Sequence, residues 1–155
     1  HRALAAPFQA LRDASDAHLT KTGERPSLFL ATIGPTAQYT QRAIWIENLL
    51  AAGGIESRAP GDLMSAEAAT AAFKESGSQG AMLGGADLAY DTLGLEVLKA
   101  LKEAGAAPLL VAGRPGARQS ALEAAGAEGF VYLGQDVITS LEGLLTAQGA
   151  LHVDP

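Results

Sequence analysis

The amino-acid sequence predicts an α/β domain built on a parallel sheet of five strands, with helices on both faces. Short apolar runs without polar alternation are typical of parallel strands that are covered on both sides. Before three of these runs, a helix-like segment ends in an Ala-Gly pair. A glycine just past a helix end and a very short connection are features of a helix-to-strand junction. The three pairs are Ala52-Gly53, Ala104-Gly105 and Ala125-Gly126.

The predicted strands and helices alternate along the chain. The clearest helix spans about residues 92–104 and places Leu95, Leu98 and Leu101 on one face. The last helix begins at Asp136, a favourable N-cap residue, and its apolar residues recur at helical spacing. The strands are predicted at residues 28–33, 55–58, 80–83, 109–112 and 130–132.

Alternating strands and helices with right-handed crossovers give a doubly wound sheet. Five strands in about 125 residues favour the flavodoxin-like order 2-1-3-4-5 over a six-stranded dinucleotide-binding fold. An amphipathic helix with Leu4, Phe8 and Leu11 precedes the first strand, and Gly23 to Pro26 break it. We therefore predict a leading helix and linker at residues 1–26, one α/β domain at 27–150 and a tail at 151–155.

Composition excludes several classes of function. The 155 residues carry a net charge of −6, which argues against nucleic acid or an anionic membrane as the main partner. The absence of cysteine rules out disulfides, thiolate nucleophiles and zinc–thiolate sites. No apolar run approaches the roughly 18 residues of a membrane helix. We expect a cytoplasmic protein, and we interpret His1, which is not an initiator Met, as the cut edge of a longer chain.

A ligand site in such a sheet is expected beyond the carboxyl ends of the strands, where the strand order reverses. The loops predicted there are small and rich in glycine, so a flat ligand or another backbone can approach closely. Thr36 and Gln38 offer hydrogen bonds, Asp87 a carboxylate and Arg114 a cation. The loops comprise residues 34–38, 84–87 and 113–116.

Each of these residues also has a purely structural interpretation. Thr36 can cap a helix, Asp87 can cap the third helix, and Arg114 can be solvated at a loop tip. The pair Gly84-Gly85 fits tight turn geometry as well as ligand clearance.

The loops do not supply a recognisable catalytic set. They contain no carboxylate pair, Ser-His-Asp set or metal cluster, so we predict no catalytic and no metal-binding residues. The three histidines are scattered at positions 1, 18 and 152. The lysine of a phosphate-binding loop and the glycines of a dinucleotide fingerprint are absent. The first strand lacks the acidic residues of a phospho-acceptor receiver domain.

Four segments carry a resemblance to a known family. Ala-Thr-Ile-Gly-Pro begins it, and three further segments continue it in the same order and spacing. Together they are similar to the C-terminal cobalamin-binding domain of methylmalonyl-CoA mutase. The stretch from Phe8 to Gly23 resembles the segment that joins that domain to the substrate barrel. The four segments are residues 31–35, 50–56, 98–105 and 122–127.

The cobalamin-binding motifs of that family are altered in this chain. The family carries Asp-x-His-x-x-Gly after the first strand, where the His ligates cobalt and the Asp orients it. The resemblance places Thr36, Gln38 and Gln41 at the Asp, His and Gly positions. A neutral amide is a poor cobalt ligand beside imidazole, and Thr36 cannot act as the orienting carboxylate. Gln41 is expected to fill the slot for the cofactor tail.

Two further motifs, which accommodate the cofactor's nucleotide tail, are altered as well. The family's Ser-x-Leu reads Gly84-Gly85-Ala86, and its Gly-Gly reads Ala112-Gly113. If cobalamin binds at all, the resemblance implies that the degenerate site consists of Thr36, Gln38, Gln41, Gly84, Gly85 and Gly113.

This pattern resembles the small, non-catalytic subunits of heterodimeric bacterial mutases. It implies a domain that binds no cofactor itself and that packs on a large catalytic subunit. In that arrangement the large subunit holds adenosylcobalamin and interconverts methylmalonyl-CoA and succinyl-CoA. The alternative is a cobalamin-binding module that keeps the cofactor's own base on cobalt. An independent enzyme is a third interpretation, disfavoured because no acid, base or nucleophile is predicted at the site.

Overall fold

The structure, a computed structural model, describes the backbone of residues 2–151 and the side chains from Pro7 onward. The expected inward position of Leu4 and the predicted tail beyond Leu151 lie outside this part. Strands β1 to β5 span Ser27–Thr32, Glu56–Arg58, Ala81–Gly84, Leu109–Ala112 and Gly129–Val131. Helices α1 to α6 span Arg2–Thr22, Thr36–Ala52, Ala66–Ser76, Leu93–Glu103, Gln119–Ala125 and Val137–Ala147.

The strands form one parallel sheet in the order β2-β1-β3-β4-β5, which confirms the predicted flavodoxin-like topology. β1 and β3 lie side by side at the centre, with Thr32 opposite Gly84 at their carboxyl ends. The chain leaves β1 towards β2 and leaves β3 towards β4, so the strand order reverses between β1 and β3. The carboxyl ends of these two central strands therefore border the expected site.

Helices cover both faces of the sheet, and β1 contributes alternate residues to each. Phe29 packs on the face covered by α3, α4 and α5, where its ring meets Phe73 edge-on at 5.6 Å between centroids. Leu28 and Leu30 face the other side, which α1, α2 and α6 cover. All six β1 residues are buried, as expected for a strand covered on both faces. No helix in residues 2–151 has the length and apolar character needed to cross a membrane.

The strand bounds differ from the predicted ones by one residue at several ends. Ile55 was predicted to begin β2, but its side chain is buried in the cluster under α2 and the strand begins one residue later. Ile33 follows β1 and forms an isolated parallel bridge with Leu63. Tyr132 likewise lies just past β5. A run of apolar residues indicates burial, and at these ends burial continues beyond the paired residues of each strand.

The junction after α2 also differs from the prediction. Gly53 has φ −94°, whereas Gly54 takes the left-handed conformation with φ +76°. Gly105 and Gly126, after α4 and α5, are left-handed as predicted. The extra glycine after α2 turns the chain one residue later and brings Gly54 against the leading helix.

The leading helix α1 packs on the α/β body. Leu11 is buried in the same core cluster as α2 and α6, with 2% of its surface exposed. Ser15 is fully buried and donates a hydrogen bond of 2.5 Å to the carbonyl oxygen of Gly54. Arg25, in the following linker, donates to both Ser15 and Asp16. These contacts fix α1 to the turn between α2 and β2.

Candidate functional site

A crevice of ≈ 550 Å³ lies at the carboxyl edge of the sheet, where the switch point predicts a site. The first turns of α2 form one wall, and the loops after β3, β4 and β5 form the others. Of the predicted site residues, Gln38, Gln41, Gly85 and Gly113 line this crevice. The full lining is Gln38, Gln41, Arg42, Trp45, Gly85, Ala86, Asp87, Gly113, Arg114, Tyr132 and Leu133.

Thr36 lies outside the crevice and does not cap α2. The helix begins at Thr36 itself, so the N-cap position is Pro35, which has no side chain able to cap. The Thr36 hydroxyl instead donates to Asp62 Oδ1 at 2.6 Å, and the Tyr39 hydroxyl donates to the same oxygen. Asp62 follows β2, so this cluster ties the start of α2 to the neighbouring loop. The predicted N-cap role of Thr36 is wrong because the helix starts at Thr36, one residue earlier than that role requires.

These hydrogen bonds stabilise the ionised form of Asp62. Donation from Thr36, and then from Tyr39, holds the pKa of the Asp62 carboxyl below its usual value. A lowered pKa in the folded state stabilises the fold above the carboxyl's unfolded pKa, and this stabilisation is lost as the pH falls through the folded pKa.

The variant Asp62→Asn is therefore expected to show a pH-dependent loss of stability. The difference in unfolding free energy between wild type and variant should be largest near neutral pH. It should shrink as the pH falls below about 4, the usual pKa of an unfolded Asp, and further through the lower pKa of the folded carboxyl. Denaturant unfolding across this range measures the difference, and a difference independent of pH would contradict the assignment.

Gly85 is required by the packing of the protein itself. A Cβ added to Gly85 would lie 2.6 Å from Cγ1 of Ile33, a side chain that is fully buried. Gly84 is less confined, because its added Cβ would meet Ile46 and Leu30 at ordinary contact distances of 3.4 and 3.5 Å. Glycine is therefore required at Gly85 by packing against Ile33. Turn geometry does not require it, because neither Gly84 nor Gly85 has a positive φ.

The side chain that occupies the inner part of the crevice is Arg42. Its Nη1 donates to the carbonyl oxygen of Gly85 at 2.7 Å and to Asp87 Oδ1 at 2.9 Å. A Cβ added to Gly113 would lie 3.3 Å from Cζ and from both Nη atoms of Arg42. Gln41, which was expected to fill the slot, has an exposed side chain on the rim. The helical rotation of α2 points Arg42, one residue further on, towards Gly113.

Tyr90 joins the loops after β3 and β4 beneath Arg42. Its side chain is buried, with 3% of the residue exposed. The hydroxyl donates to the carbonyl oxygen of Ala112 at 2.6 Å, and accepts from the Gly85 N–H at 3.1 Å and from Arg42 at 3.3 Å. Burial raises the pKa of the Tyr90 hydroxyl, and the nearby Arg42 cation opposes that rise. The hydroxyl is therefore neutral at physiological pH and holds both loops in place.

The interpretation of Asp87 as a helix cap is wrong. It begins the 3-10 turn Asp87–Asp91, whose N-cap residue is Ala86. Its carboxylate forms a salt bridge with Arg42 instead. The turn separates β3 from α4, so α4, the helix that follows β3, starts at Leu93, too late for Asp87 to cap it.

We expect Tyr90→Phe to lower the unfolding free energy by about 1–3 kcal/mol, because the Gly85 N–H and the Ala112 carbonyl lose a buried partner. Tyr132→Phe is the matched control, since the hydroxyl of Tyr132 has no hydrogen bond to the rest of the described chain. Urea unfolding of both variants measures the difference. Equal stability of the two variants would contradict the role assigned to the Tyr90 hydroxyl.

Arg114 closes the outer end of the crevice. Its guanidinium lies over the Tyr132 ring at 4.6 Å from the centroid and donates to the carbonyl oxygen of Leu133 at 3.0 Å. Arg114 is exposed, as predicted for a loop tip, but these contacts hold it against the loop after β5. The crevice is therefore bordered by two cations, Arg42 within and Arg114 at its mouth.

The crevice offers few reactive groups. The Gln38 amide is exposed at the rim, and its Oε1 would lie 3.2 Å from a Cβ added to Gly34. Among the described residues there is no cluster of three or more His, Asp or Glu side chains that could hold a metal ion. His18 lies on α1, while the other two histidines fall outside the described residues. The arrangement can bind by hydrogen bonds and charge.

Known proteins similar in sequence to this chain share one description. The chain is 38% identical over 142 residues to the methylmalonyl-CoA mutase small subunit of Streptomyces virginiae. It is 35% identical over 149 residues to the probable methylmalonyl-CoA mutase small subunit of Mycobacterium tuberculosis. The small subunit from Propionibacterium freudenreichii subsp. shermanii is 34% identical over 146 residues. The chain is a relative of methylmalonyl-CoA mutase small subunits.

The alignments to these small subunits cover 92–96% of the chain but only 22–24% of each relative. No protein-family model matches the chain. A crystal structure of a novel cobalamin-binding protein from Desulfitobacterium hafniense DCB-2 has the same fold, with a TM-score of 0.58 and 19% sequence identity. That comparison covers 96% of this chain and 71% of the other. The resemblance stated from sequence motifs is thus confirmed at the level of homology and fold.

The sequence patterns do not identify Arg42 and Tyr90, the two side chains that organise the crevice. A partial signal existed for Arg42, because it follows Gln38 by four residues and precedes Trp45 by three on the same helix face. No local pattern marks Tyr90, since its partners Gly85 and Ala112 belong to two different strand ends.

Proposed function

We propose that this chain is a non-catalytic domain of the small subunit of a heterodimeric methylmalonyl-CoA mutase. In this proposal the large subunit holds adenosylcobalamin and interconverts methylmalonyl-CoA and succinyl-CoA. The small-subunit domain packs on that complex and supports it structurally. The homology to curated small subunits supports the family part of the proposal.

The observation that carries the non-catalytic part is the position of Arg42. Its guanidinium lies against Gly113 and is hydrogen-bonded to Gly85 and Asp87. The motif resemblance assigns Gly85 and Gly113 to the cofactor's nucleotide tail. A charged, hydrogen-bonded side chain between these glycines does not fit an incoming tail.

The position of Gln38 gives independent support. The resemblance assigns Gln38 to the cobalt-ligating histidine, and its side chain is a neutral amide exposed on the rim of the crevice. Thr36, at the position of the orienting carboxylate, is hydrogen-bonded to Asp62 outside the crevice. Neither residue offers the imidazole–carboxylate pair that favours a metal ligand of this kind. The residues present therefore do not fit cobalamin bound through a protein ligand.

Co-purification tests the proposed partnership. The full-length small subunit that contains this domain is expressed together with a tagged large mutase subunit from the same source. We expect the two to co-elute in a fixed ratio through affinity and size-exclusion chromatography. An unrelated flavodoxin-like domain carrying the same expression elements is the control. Recovery of the large subunit without the small one would overturn the proposal.

The alternative function is a base-on cobalamin-binding module. It is favoured by the open crevice of ≈ 550 Å³ beside glycine-rich loops and by the fold shared with a cobalamin-binding protein. In that case Thr36, Gln38, Gln41, Gly84, Gly85 and Gly113 are the candidate binding residues, and Arg42 has to leave its place when the cofactor enters.

A further inference from the structure

The inner crevice has the shape and hydrogen-bonding character of a slot for a planar group. The floor is Gly113, which has φ +125° and lacks the Cβ that would obstruct a group lying on it. Cζ and both Nη atoms of the Arg42 guanidinium are each 3.3 Å from the position of that missing Cβ. Equal distances to three atoms of a planar group mean that the plane faces Gly113.

Acceptors line the edge of the same slot. The carbonyl oxygen of Gly85 and the carboxylate of Asp87 both accept from Nη1 of Arg42. The Tyr90 hydroxyl also accepts from this nitrogen, and the Tyr90 ring centroid lies 5.7 Å from Cζ. All three acceptors meet at one nitrogen, so the slot favours a flat group that carries a positively charged N–H donor at one corner.

We propose that this chain carries a latent binding slot for a planar nitrogen-rich group, and that the Arg42 side chain is its built-in occupant. Arg42 thereby acts as the specificity-determining residue of the crevice, because it fills the place that an external ligand needs. This proposal extends the proposed function. It rests on that function only for the identity of the cofactor that Arg42 excludes. The slot itself depends on contacts within the chain.

The test is to empty the slot and refill it from solution. Arg42→Ala removes the guanidinium and leaves its acceptors in place, so free methylguanidinium at millimolar concentration is expected to bind. Trp45 lines the crevice and is the only tryptophan in the sequence, so its emission reports binding. We expect a saturable change in the variant and none in the wild type. The variant's melting temperature should fall by about 4–8 °C and recover partly with methylguanidinium.

Two controls separate the slot from general effects. Arg114→Ala removes the other arginine of the crevice, whose guanidinium lies over Tyr132 and not over Gly113. We expect methylguanidinium to leave this variant unchanged. Neutral methylurea has a similar planar shape but no charge, and we expect it to bind Arg42→Ala about two- to fivefold more weakly, because the Asp87 carboxylate is largely exposed. If Arg42→Ala does not fold, Arg42→Gln is titrated in its place, because glutamine is uncharged and shorter than arginine.

Several outcomes would overturn the proposal. One is a folded Arg42→Ala variant that shows no saturable response to methylguanidinium. Another is an equal response in the wild type or in Arg114→Ala, which would place binding elsewhere. These outcomes are distinguishable from failure of the proposed function, which is tested by co-purification of the unaltered subunit.

Discussion

Replacing Gly85 with alanine is expected to lower the unfolding free energy by about 3 kcal/mol, the upper part of the usual range for overpacking a core. The added Cβ would lie 2.6 Å from Ile33 Cγ1, and 3.4 Å from the Ile33 carbonyl oxygen. Ile33 is fully buried and β-branched, so its side chain has little freedom to move aside. The strain is relieved only if the end of β1 shifts away from the loop after β3.

Gly84→Ala is the matched control for this prediction. It adds the same group one residue earlier, at the last residue of β3, but its nearest contacts are Ile46 and Leu30 at 3.4 and 3.5 Å. We expect a change within about 1 kcal/mol, because ordinary van der Waals contact needs no rearrangement. Urea unfolding measures both variants. Similar stabilities for Gly84→Ala and Gly85→Ala would show that contact with Ile33 is not what requires glycine.

Replacing Gly54 with alanine is expected to detach the leading helix from the α/β body. Gly54 has φ +76°, a conformation that costs an alanine about 1–2 kcal/mol. In addition, the new Cβ would lie 2.5 Å from the Cβ of Ser15 and 3.3 Å from the backbone of Arg12. Overpacking adds about 1–3 kcal/mol. The clash falls at the contact that fixes α1, so undocking α1 relieves it.

Gly23→Ala isolates the conformational part of that effect. Gly23 is also left-handed, with φ +86°, but a Cβ there meets no atom within 4 Å in the described chain. We expect Gly23→Ala to lose only the backbone contribution. Amide hydrogen exchange should then show α1 exposed in Gly54→Ala and protected in Gly23→Ala. Protection of α1 in both variants would contradict the proposed docking contact.

The fold could be predicted from the sequence because each of its signals is local. The buried run that forms β1 and the glycines after α4 and α5 identify their elements without knowledge of the partners. The errors at Ile55 and Tyr132 are one-residue boundary errors, since an apolar side chain can be buried just outside a paired strand. The position of the switch point then followed from the topology, and the crevice lies there.

The organisation of the crevice could not be predicted in the same way. Sequence motifs identified Gln38, Gly85 and Gly113 as residues of one edge, and the structure brings them to one crevice. The contacts that determine which side chain occupies the crevice include the hydrogen bond from Arg42 to Gly85, which is 43 residues away in the chain. Such long-range hydrogen bonds depend on the angle at which α2 crosses the sheet. For the same reason Gln41 was assigned the role that Arg42 fills.

The most direct test of the central claim is a calorimetric titration of this chain with adenosylcobalamin, followed by a visible spectrum of the dialysed protein. A catalytic large mutase subunit under the same conditions is the positive control. With Arg42 in the slot and an amide in place of the cobalt-ligating imidazole, we predict no saturable heat and no retained colour. Saturable binding with the spectrum of a cofactor that keeps its own base on cobalt would contradict this account and make the crevice a true cobalamin site.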